Sequence, residues 1–195
     1  IGANDSYICR LIREDLIKEF DVYINQSCTS LHSKIKPSIF ETNLFLMKRN
    51  PTLIEYSAFY GSIQIFQYLM LKGVDLTPSL WIYSIHGHNA EIIHILEGNR
   101  IQPTDDSYFK CLKESVKCHH NDIVNYIIES YMYNQNLNNN NLELTKWCLK
   151  YHNYEFFPNE FNQKIDLFYL IKFNYQKLVQ LLIAKGNLNI NEPII

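Results

Sequence analysis

Residues 52–75, TLIEYSAFYGSIQIFQYLMLKGVD, decide how the rest of the chain is read. They predict two short helices joined back to back. Thr52 is placed to N-cap the first, its side-chain oxygen accepting from a backbone N–H that the helix leaves unpaired. Ile54, Tyr56 and the small pair Ser57 and Ala58 follow on one face, and Gly61 breaks the pattern. Ile63, Ile65, Phe66 and Leu69 to Leu71 resume it at helical spacing, and Gly73 supplies a left-handed stop. Ser57 and Ala58 would let the two helices approach closely. Each helix is near or below the length that holds together alone in water. Such a unit persists by stacking on copies of itself.

The copies are present. Residues 84–96, SIHGHNAEIIHIL, lay over the first unit without a gap, and so do residues 115–127, SVKCHHNDIVNYI. A fourth copy runs LIKFNYQKLVQLL over residues 170–182. Taking Ile65, Ile92, Ile123 and Leu178 as equivalent, successive copies stand 27, 31 and 55 residues apart. The first two spacings lie close to a period of about 33 residues, and the third is long enough for an irregular extra unit.

The first unit resembles an ankyrin repeat. Thr52 to Ala58 matches that family's Thr-Pro-Leu-His-Leu-Ala-Ala segment, and Gly61 to Phe66 matches its Gly-His-Leu-Glu-Val-Val segment. Thr77-Pro78 restores the start of the next repeat, and residues 186–191, GNLNIN, resemble the finger of a late one. The stretches SIFETNLFLM, TLIEYSAFYGSIQIFQYL and TPSLWIYSIHGHNAEIIHIL together resemble the ankyrin-associated domain of unknown function expanded in parasitic protists. The later repeats depart from the pattern, having neither Thr-Pro nor a glycine at the turn. The resemblance implies an all-α, ankyrin-type helical repeat solenoid with short finger hairpins and divergent terminal repeats. It brings no activity with it.

Composition agrees with a packed chain. Of 195 residues, 47% are hydrophobic and 14% aromatic, enough for a continuous core, and global disorder is excluded. The net charge of −2, with both signs interspersed, offers no basic stripe, which disfavours nucleic acid and anionic membrane surfaces as partners. The cysteines are an odd number, 5, without paired spacing, so reduced thiols in the cytoplasm or nucleus fit better than a disulfide framework. The N-terminus, IGANDSYICRLIRED, carries no secretory signal, and no apolar run approaches the roughly 18 residues of a membrane span. It also lacks an initiator Met, which leaves open whether the chain is a piece of a longer protein.

Along the chain, residues 1–50 read as a divergent N-terminal helical capping region. Asp5 or Ser6 would cap its first helix and Asp15 its second, with Leu16, Ile17, Phe20 and Ile24 on one face. Residues 26–37 form a loop, and Ser38 with Glu41 is set as a capping box for a helix over IFETNLFLMK. Ankyrin-like repeats fill residues 51–133, with Gly73 and Gly98 ending second helices. The connectors, Val74 to Leu76 and Arg100 to Gln102, have the alternation of short finger hairpins. Residues 134–141, NQNLNNNN, hold 6 asparagines and predict a flexible insert. Residues 142–195 are divergent C-terminal repeats, opening with an amphipathic helix around Leu144, Trp147, Cys148 and Tyr151.

No constellation argues for an enzyme. Cys111, Cys118, His119 and His120 have metal-ligand chemistry, and His86 and His88 sit one repeat earlier, but Cys-x6-Cys-His-His is no zinc spacing. His119 and His120 stand where the resembled family carries its Gly-His turn. A Cys118–His pair lacks a glycine-rich oxyanion loop, and Asp105 and Asp106 read as helix-start residues. There is no GxGxxG, GxxxxGK[ST] or HExxH. Neither a cofactor nor a metal is expected. Trp81 and Trp147 fit core packing. The expected role is a monomeric, non-catalytic adaptor or scaffold for another protein. Phe59, Tyr60, Tyr83, His86 and Lys117 would line the concave face, and Lys72, Asp75, Arg100 and Gln102 the fingers. The alternatives are a metal- or thiol-dependent enzyme using Cys111 to His120, and a purely structural segment of a longer ankyrin chain.

Overall fold

A computed structural model describes residues 2–104, 107–132, 137–157 and 163–184. Its secondary structure is α-helical: α1 (Tyr7–Arg13), α2 (Ile17–Ser27), α3 (Leu44–Met47), α4 (Leu53–Tyr60), α5 (Ile63–Leu71), α6 (Leu80–Gly87), α7 (Ala90–Gly98), α8 (Phe109–Cys118), α9 (Asn121–Ile127), α10 (Leu137–Tyr151), α11 (Gln163–Lys172) and α12 (Gln176–Ala184). A π-helical turn, Ile128–Met132, extends α9, and a 3-10 turn, Tyr154–Phe156, follows α10. Among the described residues the β-type pairing is an isolated antiparallel bridge between Lys34 and Thr52. The chain forms two compact units, residues 1–114 and 115–195.

In the first unit the helices pair as expected and lie in two rows. The first helices α1, α4 and α6 pack side by side, and the second helices α2, α5 and α7 form the other row. Ile65, Phe66 and Leu69 of α5 are buried, as are Leu80, Trp81 and Ile85 of α6 and Ile92 and Leu96 of α7. Apolar burial on these facing stripes is what short helices need, since propensity alone leaves them marginal. The small residues do what their size predicts. The buried hydroxyls of Ser57 and Ser84 donate to carbonyls three residues back, Ile54 at 2.8 Å and Trp81 at 2.9 Å. A Cβ at Gly87 would run into the Ala58 carbonyl of α4, so α6 can approach only because position 87 has none.

Each pair turns through one left-handed residue. The φ angles are +52° at Asp15, +66° at Gly61, +49° at His88, +60° at His119, +59° at His152 and +63° at Asn174. Only Gly61 takes this conformation without steric cost; Asp and Asn tolerate it through local hydrogen bonding. The next amide closes the helix end, as in Ser62 to the Ser57 carbonyl at 2.9 Å and Tyr175 to the Leu170 carbonyl at 2.8 Å. The residue after the turn then reaches back to the preceding pair. The Ser62 hydroxyl donates to the Ile12 carbonyl, and the Asn89 amide donates to the Gly61 carbonyl at 3.2 Å. Inside the second unit, Asn153 donates to the Val116 carbonyl at 3.0 Å and Tyr175 to the Leu149 carbonyl at 2.7 Å.

Several expectations are corrected. The connectors form no finger hairpins among the described residues. Their amides close helix ends instead, Val74 to the Leu69 carbonyl at 3.0 Å and Ile101 to the Leu96 carbonyl at 2.9 Å. The Ile101 carbonyl accepts from the Trp81 indole N–H at 2.7 Å, so little remains for a strand ladder. Gly73 is the left-handed stop of α5 (φ +85°), but after α7 that place is held by Arg100 (φ +57°), while Gly98 is still helical. Asp15 does not cap its own helix: its carboxylate accepts from the Gln64 and Ile65 amides at 3.0 and 2.9 Å, capping α5 in the neighbouring pair. Ser6 occupies the N-cap position of α1 without a side-chain hydrogen bond.

The helix expected over residues 39–48 shrinks to the single turn α3. Its cap is Asn43, which accepts from the Phe45 and Leu46 amides, whereas Glu41 is buried and accepts from the Asn4 and Asn43 amides at 3.2 and 2.9 Å. A carboxylate committed to those loop amides cannot close a box with Ser38. Asn138 to Asn141, expected in a flexible insert, belong to the backbone of α10. Asp105, Asp106, residues 134–136 and the expected finger at 186–191 lie outside the described residues.

Candidate interaction surface

The first helices of the first unit turn a set of aromatic side chains to one side, and α3 lies on it. The Phe45 ring stacks on Phe59 of α4 at 5.7 Å between centroids. It meets Tyr83 of α6 edge-on at 5.1 Å and lies 4.1 Å from the His86 ring. The Arg49 guanidinium sits over the same ring, 4.0 Å from its centroid. Phe59 and Tyr83 are consequently buried, and His86 is largely covered. His86 Nε2 also lies 2.9 Å from Glu114 Oε1. Burial, with Glu55 nearby, pushes the Tyr83 hydroxyl up to about 12.

Phe59, Tyr83 and His86 are therefore brought together as expected, but as a closed cluster under Phe45 and not as an open partner-binding face. The sequence does not announce this cover, because α3 precedes the repeats and its inward residue cannot be told from its outward ones by spacing. Tyr60 is half-buried, with its ring 4.8 Å from Tyr56 and 5.0 Å from Phe59, and the Arg13 guanidinium 5.9 Å away. Arg13 Nη1 donates to the Asn4 carbonyl at 2.6 Å and to the Tyr56 hydroxyl at 3.1 Å. Burial raises both the Tyr56 and Tyr60 hydroxyls, so they stay protonated.

The charged candidates fare differently. Lys72, Asp75, Arg100, Gln102 and Lys117 are all exposed. The Lys72 ammonium lies 5.3 Å from the Tyr68 ring, and Gln102 Oε1 accepts from the Tyr108 hydroxyl at 3.0 Å. Lys117 belongs to the second unit. Of the cysteine and histidine cluster, Cys111 is buried, Cys118 is half-buried, and the His119 ring is engaged with the Tyr151 carbonyl at 3.0 Å. Burial raises the Cys9 thiol and pushes Cys148 up to about 11, the reverse of an activated nucleophile. Trp81 and Trp147 are buried, as their helical spacing implied.

One feature is not marked by any motif. The segment that carries Phe45 inward turns Ile39, Phe40, Leu44 and Met47 outward, each more than half exposed. Beside it a cleft of about 110 Å³ is lined by Ile35, Lys36, Pro37, Leu46, Met47 and Pro51 among others. The apolar run SIFETNLFLM was the available signal, since its density of large side chains exceeds what one helical face can bury.

Residues 72–158 match the family model described as a domain of unknown function (DUF3447). The DUF3447 stretch runs from the end of α5 through the 3-10 turn. It contains Lys72, Asp75, Tyr83, His86, Arg100, Gln102 and Lys117, and leaves Phe45, Phe59 and Tyr60 outside. No curated protein and no solved structure matches the chain. Among the described residues no helix is long and apolar enough to cross a membrane.

Proposed function

We propose that the chain is a non-catalytic adaptor built as an ankyrin-type helical repeat solenoid, which binds another protein through its exposed edge. The observation that carries this reading is the link that recurs after four of the left-handed turns, from the next residue to the preceding pair: Ser62 to Ile12, Asn89 to Gly61, Asn153 to Val116 and Tyr175 to Leu149. A repeated contact of this kind is how quasi-one-dimensional stacks hold register, and stacked units present extended surfaces, not enclosed pockets. The step from stack to binding is an analogy at the level of fold. The exposed turn residues Lys72, Asp75, Arg100 and Gln102 are the candidates retained for partner choice. Phe59, Tyr83 and His86 act as packing beneath Phe45.

Affinity capture from native lysate with mass spectrometry tests this. Wild type is compared with a variant carrying Lys72→Glu and Arg100→Glu, its fold checked by circular dichroism. A protein that the wild type retains and the variant loses supports the reading. Absence of any reproducible partner counts against it.

A further inference from the structure

We infer that residues 34–51 form a docking site for an acidic peptide segment of a partner protein, one with large apolar side chains bracketed by Asp or Glu. The inference rests on the adaptor reading and names the chemistry of the partner. It starts from the two-sided character of the segment. Phe45 and Leu46 point inward and fix it to α4 and α6, while Ile39 is 92% exposed, Leu44 68% and Met47 59%. Anchored apolar residues held this far into water have no role in the packing of the unit. Contiguous exposed apolar surface of this kind marks interaction sites.

Charge decides which partner. Lys34, Lys36, Lys48 and Arg49 flank the apolar residues, and all are exposed. None is paired with a carboxylate among the described residues. The one acid in the segment, Glu41, is buried and spent on the Asn4 and Asn43 amides. The exposed charges that residues 34–51 themselves carry are thus all positive, although the chain as a whole carries −2, and the acid beside them is Asp5, whose carboxylate accepts from the Ser38 hydroxyl at 2.7 Å. Complementary potentials steer encounters and fix register, so the fitting ligand is acidic.

Shape favours a peptide over a lipid surface. The cleft of about 110 Å³ beside Met47 is lined by Ile35, Leu46 and Pro51 with Lys36 and Arg49, and by Glu41, whose carboxylate is engaged by the Asn4 and Asn43 amides. A pocket of that size takes one apolar side chain, with its flanking carboxylates left within reach of Lys36 and Arg49. Such a pocketed anchor within a polar rim is the usual arrangement of binding hot spots.

The test is selection from a phage-displayed library of short random peptides on the full chain, followed by fluorescence anisotropy with the enriched sequences. Expected are peptides with Leu, Ile or Phe between acidic residues, binding more weakly as salt is raised. Lys36→Glu with Lys48→Glu, or Ile39→Ser with Leu44→Ser, should each weaken binding by about tenfold or more, because these surface changes leave the fold intact. Enriched peptides indifferent to both double variants overturn this site while leaving the adaptor reading standing. No enrichment over an unrelated bait also overturns this site, and the adaptor reading is then decided by capture from lysate. Vesicles of phosphatidylserine and phosphatidylcholine form the parallel arm: cosedimentation abolished by the same variants, without acidic peptides, assigns the edge to lipid and overturns the proposal.

Discussion

The rings of Phe45 and His86 lie 4.1 Å apart, a contact that ties the single turn α3 to the first helix of a repeat well downstream. Together with Phe59 and Tyr83 it closes the aromatic face of the first unit. Phe45→Ala should therefore cost stability. Full Phe to Ala truncation in a core costs roughly 3–5 kcal/mol, and a half-buried ring about 2 kcal/mol. Urea denaturation measures it. A loss below about 0.5 kcal/mol, the range of ordinary surface changes, would mean that α3 merely rests on the unit.

Gly87 and Gly98 make a matched pair of glycines, both helical. A Cβ at position 87 collides with the Ala58 carbonyl, whereas nothing lies within 4 Å of one at position 98. Gly87→Ala should destabilise by about 2 kcal/mol through forced separation of α4 and α6. Gly98→Ala should be neutral or stabilise by up to about 1 kcal/mol. Thermal midpoints of the two variants suffice, and equal behaviour would refute the close approach.

The capping box of α4 can be dissected. Glu55 Oε2 accepts from the Thr52 amide at 2.8 Å, and Oε1 accepts from the Ser79 hydroxyl at 2.6 Å, so one carboxylate fastens two helix starts. Thr52→Ala should cost about 1 kcal/mol. Glu55→Ala should cost more, and the double variant less than the sum, because the two share a bond. Strict additivity in urea melts would show that the box is not formed.

Alkaline pH should destabilise the first unit. The Tyr83 hydroxyl is raised from 10 to about 12 by burial, so its protonated form is favoured in the fold. That contribution is fully present below pH 10 and is lost as pH rises towards 12. Tyr83→Phe should flatten the decline in denaturation midpoint over this window. A decline of undiminished slope would place its cause in other groups.

How much of this was legible beforehand depends on whether a signal was local. The helix pairs, the Thr52 cap and the Gly61 and Gly73 stops follow from residues within a few positions of one another. Asp15 was read as a cap for its own helix because sequence adjacency favours that choice. Its left-handed backbone instead aims the carboxylate at Gln64 and Ile65. The left-handed turns at His88 and His119 carry no glycine to announce them. The closure of Phe59, Tyr83 and His86 depends on a turn outside the repeat pattern. Fingers were expected from resemblance, but the Val74 and Ile101 amides are used in closing helix ends.

The most direct test of the account is amide hydrogen exchange on the full chain, free and bound to a purified partner recovered by capture. Slowed exchange is expected across residues 34–51 and at the turns around Lys72–Asp75 and Arg100–Gln102. Helices α4 and α6 should be protected already in the free chain and stay unchanged. Faster exchange at Leu44–Met47 with new protection in α4 and α6 would contradict it, for then α3 would be displaced and Phe59, Tyr83 and His86 would form the binding face.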